Sequence, residues 1–78
     1  MVCELKKKKV EWHIITYEYY STDNPLDIGI VKVDIKARKW YFEKKTRTES
    51  DVVGYEVSRR INRMFKENNY PEFAYECE

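Results

Sequence analysis

The stretch "VDIKARKWYFEKKTR", Val33–Arg47, alternates apolar with polar residues and then releases a cluster of positive charge. Alternation of this kind is the signature of a half-buried β-strand, and a basic break in its middle predicts a hairpin. Setting Ile35 opposite Trp40 and Val33 opposite Phe42 gathers the bulky apolar residues on one face, with the four residues Lys36–Lys39 as the loop. A slip of one residue would bury Lys32 or Asp34. In this register Lys32 faces Glu43 and Asp34 faces Tyr41 on the outer side, so one lysine already has a cross-strand counter-charge.

Working outward, "IGIVKVDI" over residues 28–35 and "WYFEKK" over 40–45 read as the second and third strands of a meander. "VEWHIITYEYY" over 10–20 reads as the first, separated from them by "STDNPLD", whose Asn-Pro step favours a turn. Asp23 and Asp27 in that connection lack the spacing of a calcium loop and suit the turn itself. Helix signals start at "TESD", where Thr48 or Ser50 can cap and Asp51 favours the helix dipole. Val53, Val57, Ile61, Met64 and Phe65 then form one stripe of a helix over 50–68, ended by Asn68 or Asn69 ahead of Pro71. "EFAYEC" over 72–77 alternates again, with Phe73, Tyr75 and Cys77 on one side and Glu72 and Glu76 on the other, as a short fourth strand or ordered tail. Residues 1–9, with the run Lys6–Lys9, read as a flexible basic arm that guards a sheet edge.

The expectation is a single α+β domain over residues 1–78, a three-stranded antiparallel β-meander packed on one C-terminal helix (β-β-β-α). A chain of 78 residues hides only about 60 to 65% of the surface its unfolded form exposes, so burial against a partner is a natural gain. Neither a signal peptide nor a membrane span is read from the sequence, and Cys3 and Cys77 lack a metal or redox spacing. They read as reduced thiols of a cytoplasmic protein, with a disulfide between the chain ends as the alternative.

Function has fewer handles. His13 is the only histidine and has no cysteine pair beside it, so no zinc site is expected. Gly29 and Gly54 build no phosphate-cradling loop, no serine sits in a nucleophile elbow, and neither cysteine has an evident base. The sequence predicts a non-enzymatic protein without a cofactor.

Two surfaces remain. One helix covers one face of the sheet, yet strand one carries bulky residues on both: Ile15, Tyr17 and Tyr19 in one parity, Trp12 and Ile14 in the other. Either a cover formed by Phe73 and Tyr75 or a bulge near Ile14 and Ile15 hides the surplus, or a partner does, most simply a second copy, with Trp12, Ile14, Tyr20 and Tyr41 as anchors. The alternative is a nucleic-acid contact. Formal charge is −1 over residues 1–31, +5 over 32–47 and −3 over 48–78, and the basic segment offers Lys36, Arg38 and Lys39 at the loop and Lys44, Lys45 and Arg47 at the far end. The strands supply no Asn or Gln for reading base edges, and Arg59, Arg63 and Lys66 share a helix face with nearby glutamates.

Overall fold

Alternating apolar residues at Cys3 and Leu5, at Ile15, Tyr17 and Tyr19, and at Val31 and Val33 all turn to one side and bury there, which fixes the sheet and its covered face. A computed structural model describes residues 2–77. Its elements are β1 (Val2–Glu11), β2 (Ile14–Ser21), β3 (Asn24–Asp34), β4 (Lys39–Lys44), α1 (Ser50–Glu67) and β5 (Phe73–Cys77). The strands make one five-stranded antiparallel sheet in the order β4-β3-β2-β1-β5, with α1 across one face. The α+β class stands, with four strands before the helix in place of the expected three, and with the short strand, the first of the two forms expected for residues 72–77, after it.

The basic segment over residues 1–9 is a strand and not an arm. β1 lies between β2 and β5, because Cys3 and Leu5 alternate into the core while the lysines that follow keep their heads in solvent. Lys8 is an extra residue opposite the Tyr17–Thr16 step, a bulge that lets β1 carry four consecutive lysines without burying an ammonium group. Lys7 buries its stem beside Tyr17 and holds its Nζ 3.9 Å from Glu72.

The single strand expected over 10–20 is two strands joined by the turn Trp12–His13, with Glu11 opposite Ile14. Trp12 has φ 59°, a conformation that glycine or asparagine usually marks in a sequence. A tryptophan there gives no such mark. β2 then takes the parity in which Ile15, Tyr17 and Tyr19 meet the helix.

The β3–β4 hairpin keeps its facing and a four-residue loop, but its register is displaced by two residues: Val33 opposes Trp40, Val31 opposes Phe42, Lys32 opposes Tyr41 and Asp34 opposes Lys39. The loop is Ile35–Arg38. Asp34 Oδ1 accepts the N–H groups of Lys36 at 3.1 Å and Ala37 at 2.9 Å, and Arg38 takes φ 57°, so the turn closes one pair earlier than hydrophobic matching alone suggests. An even displacement leaves each side chain on its expected face.

Helix α1 begins after Glu49, whose own backbone is left-handed at φ 50°; neither Thr48 nor Ser50 supplies a side-chain cap. Asp51 does lie in the first turn, and Val53, Val57, Ile61, Met64 and Phe65 form the buried stripe. Full burial of each aliphatic member is worth about 1.5–3 kcal/mol relative to exposure. Asn68, at φ 52°, ends the helix with its N–H directed to the Met64 and Phe65 carbonyls. The chain then runs through Tyr70, whose ring packs edge-on against Phe65 at 6.2 Å, to Pro71, whose carbonyl accepts the Tyr17 hydroxyl at 2.7 Å.

Candidate interaction surface: the open face of the sheet

Among the described residues, none lies over the face opposite α1. β5 does not cover surplus aromatics, as the sequence suggests it could, but adds a strand to the sheet: Ala74 and Glu76 turn to the helix and bury, while Phe73, Tyr75 and Cys77 turn to the open face. The expected alternation holds, with the Glu76 side turned inward, because the small Ala74 fits under α1 and Glu76 finds arginines there. Arg63 donates to the Glu76 carboxylate at 2.7 Å, and Arg59 reaches both Glu76 at 3.5 Å and the buried Glu56 at 3.4 Å.

Cross-strand register defines the rows of the open face. Tyr20 opposes Glu4, which opposes Tyr75; Ile30 opposes Glu18, then Lys6, then Phe73. Lys6 Nζ stands 5.9 Å from the centre of the Phe73 ring. Lys32 donates to Thr16 Oγ1 at 2.7 Å and lies 3.9 Å from Glu43, and Lys8 lies 3.9 Å from Glu18. Burial, and then the Glu4 carboxylate beside it, push the Tyr20 hydroxyl above its ordinary pKa. The centre of the face is thus a set of matched charges, and its large exposed aromatics stand at the two edges: Tyr41 on β4 at 58% exposure, Phe73 at 69% and Tyr75 at 67% on β5.

Of the four anchors named from the sequence, Ile14, Tyr20 and Tyr41 share this open face, the first two half-buried and Tyr41 exposed. Trp12 is apart from them at the tip of the β1–β2 hairpin, 95% exposed, with His13 Nε2 beside it 3.6 Å from Asp34. Sequence reasoning misses Phe73 and Tyr75 as surface residues. A signal for them exists, since a strand whose alternate residues are Ala and Glu buries whichever side finds a partner.

The six basic residues divide. Arg38 is engaged: its guanidinium donates to the Phe65 carbonyl at 2.5 Å and lies 5.3 Å from that ring, closing the C-terminal end of α1 where a cation is favoured. Lys36 in the loop, Lys39 and Lys44 at the two ends of β4, and Lys45 and Arg47 beyond it have side chains with no ion pair among the described residues. Near Lys44 and Arg47, Pro25–Ile28 bow out opposite the single residue Tyr20, and a groove of about 600 Å³ runs beside them, lined by Asp23–Ile28, Lys44, Arg47 and Thr48. The Asp27 carboxylate closes it by accepting the Arg47 and Thr48 N–H groups at 2.9 and 2.8 Å, which hold that carboxyl below its usual pKa.

The two cysteines sit on opposite faces of neighbouring strands, Cys3 buried toward the helix and Cys77 exposed on the open side, and they form no disulfide. Among the described residues, no helix is long and apolar enough to cross a membrane. No protein-family model, curated protein or solved structure matches the chain.

Proposed function

We propose that this protein is a small, non-enzymatic binding module that acts as a homodimer, using the open face of its sheet as the interface. The observation that supports this reading is the exposure of Phe73 and Tyr75 on an edge strand, continuous with half-buried Tyr20 across Glu4. Aromatic side chains dominate interface energetics, and a domain of 78 residues gains the burial its own core cannot supply. Cys3 and Cys77 lie on opposite faces of the sheet, a placement that favours separate thiols and so a reducing compartment such as the cytoplasm.

Sedimentation velocity at high micromolar concentration tests the reading. The wild-type chain is expected to run as a dimer, Tyr75→Glu as a monomer, and Tyr55→Glu, altered on the exposed side of α1, as a dimer still. A wild-type chain that stays monomeric at its solubility limit overturns it.

The second reading is a nucleic-acid contact through the basic hairpin, favoured by Lys36, Lys39, Lys44, Lys45 and Arg47, which stand at the two ends of β4 without an ion pair among the described residues. Binding of mixed-sequence DNA or RNA at low salt, falling steeply with added salt and with Lys36→Ala and Lys39→Ala, is the expected result. Arg38 is left unchanged in that test because it braces the helix. Absence of binding at low salt removes this reading.

A further inference from the structure

We propose that two copies of this chain join through the outer edges of their β5 strands, antiparallel about a two-fold axis at Tyr75, so that two five-stranded sheets become one continuous sheet. The inference rests on the homodimer reading and moves the contact from the open face itself to the β5 edge of that face, where Phe73 and Tyr75 stand.

Hydrogen-bond parity comes first. In an antiparallel pair, residues that exchange both backbone bonds alternate with residues that exchange none. The Lys7 N–H donates to the Glu72 carbonyl at 2.8 Å, so the bonded pairs that follow along the same register are Leu5 with Ala74 and Cys3 with Glu76. Ala74 and Glu76 therefore commit their backbone groups to β1. Phe73, Tyr75 and Cys77 direct theirs outward, from the last strand of the sheet. An outward row of three donors and three acceptors at every second residue is self-complementary about its middle member: Tyr75 pairs with its own counterpart, and Phe73 pairs with Cys77 of the second copy in both directions.

The edge is also lightly guarded. Proteins blunt free edges with lysine, proline, bulges or inward-pointing charge. Residues Phe73–Cys77 contain no lysine, proline or bulge; their one guard of this kind is the inward-pointing Glu76, whose charge Arg59 and Arg63 offset under the helix. The opposite edge, β4, is flanked by Lys39, Lys44 and Lys45.

Side chains select the register. With the axis at Tyr75, Glu76 lies opposite Ala74, and on the open face Phe73 lies beside Cys77 and the two Tyr75 rings meet. Moving the pairing one step toward Phe73 sets Glu76 opposite Glu72 and brings Pro71, which has no N–H, into the ladder. Moving it one step toward Cys77 sets the two Glu76 carboxylates opposite each other. Only the centred register keeps Glu76 clear of a second carboxylate and uses all three outward residues.

Paired residues of this bonded type have Cα atoms about 5.5 Å apart, within disulfide reach. Phe73→Cys is therefore expected to crosslink to native Cys77 of the second copy under mild oxidation, giving a covalent dimer on a non-reducing gel. The same variant carrying Cys77→Ser, and Tyr41→Cys as a surface control, are expected to give none. Tyr75→Pro removes an N–H that points outward and none that holds β1, so it is expected to keep its circular dichroism and sediment as a monomer. Should that variant lose its fold, the crosslink decides. A wild-type monomer overturns both this inference and the homodimer reading; a dimer that gives no Phe73→Cys crosslink overturns the edge geometry and leaves a face-to-face dimer standing.

Discussion

The ring of Tyr19 occupies the place a side chain at Gly29 would fill: a Cβ added there would lie 2.3 Å from Tyr19 Cζ. The two residues face each other across β2 and β3, and the ring is fully buried, with its hydroxyl 3.3 Å from the Lys44 carbonyl. Gly29 is thus a packing requirement of a strand that glycine otherwise weakens. Gly29→Ala is expected to destabilise the fold by about 1–3 kcal/mol, the usual range for overpacking, measured by urea unfolding. Gly54 has the opposite sign. It sits inside α1, where an added methyl would lie 3.4 Å from Phe42 Cζ, an ordinary contact, so Gly54→Ala is expected to stabilise by about 0.5–1 kcal/mol.

Arg59 and Arg63 are each about half exposed, while Glu56 and Glu76 are buried beneath them. Loss of the arginines strands two buried carboxylates; loss of Glu76 leaves arginines that can turn to water. The double variant Arg59→Ala/Arg63→Ala is therefore expected to cost about 3–5 kcal/mol, and Glu76→Ala only about 1.5–3 kcal/mol. Chemical denaturation of the two variants at neutral pH gives the comparison, and equal costs would show that the pairing is not what holds β5 under the helix.

Alkali should unfold this protein through two buried tyrosines. Burial pushes the Tyr19 hydroxyl up to about 12, and burial, followed by the Glu72 carboxylate, pushes Tyr17 up further. A phenol in the unfolded chain ionises near about 10, so the stabilisation is complete below that pH and is lost as pH rises toward the folded values. Absorbance of the ionised phenol is expected to show Tyr17 and Tyr19 titrating together with loss of circular dichroism. Tyr17→Phe also removes the bond to Pro71, so it is expected to lower stability at neutral pH by about 1 kcal/mol and to flatten the alkaline slope.

At acid pH the sign reverses at Asp27. The Arg47 and Thr48 N–H groups lower its folded pKa, so its contribution is present above the unfolded value of about 3.9 and disappears as pH falls through the folded one. Asp27→Asn is expected to lower the melting temperature at neutral pH and to leave it unchanged once the wild-type carboxyl is protonated. Melting curves taken across the acid range provide the check.

Side-chain periodicity makes much of this fold legible. The stripe from Val53 to Phe65, the Asn68 stop and the facing of Val33, Trp40 and Phe42 follow from spacing alone. The departures share a cause: local backbone choices that no residue type announces. Trp12, Arg38 and Glu49 all adopt positive φ without being glycine, and they respectively place a hairpin tip, a loop and a helix start. The lysine run reads as an arm because four charges in a row break alternation, which the bulge at Lys8 absorbs. Of the surface, the open aromatic face is visible in the sequence as a surplus of bulky residues; which strand carries its exposed edge depends on β5 turning Ala74 and Glu76 to the helix. Arg38 reads as a ligand contact because its carbonyl partner, Phe65, is distant in sequence.

The sheet runs β4-β3-β2-β1-β5, so four strands join by successive hairpins and only β5 must travel, carried by α1 from one edge to the other. Hairpins close quickly and long-range pairings late, because loop entropy is lost before distant contacts form. β5 is thus the strand whose docking completes the fold. Hydrogen exchange should find the amides of Ala74 and Glu76 opening in a smaller unit than those of β2, with protection that grows with protein concentration. Assembly would then set the lifetime of the closed subunit.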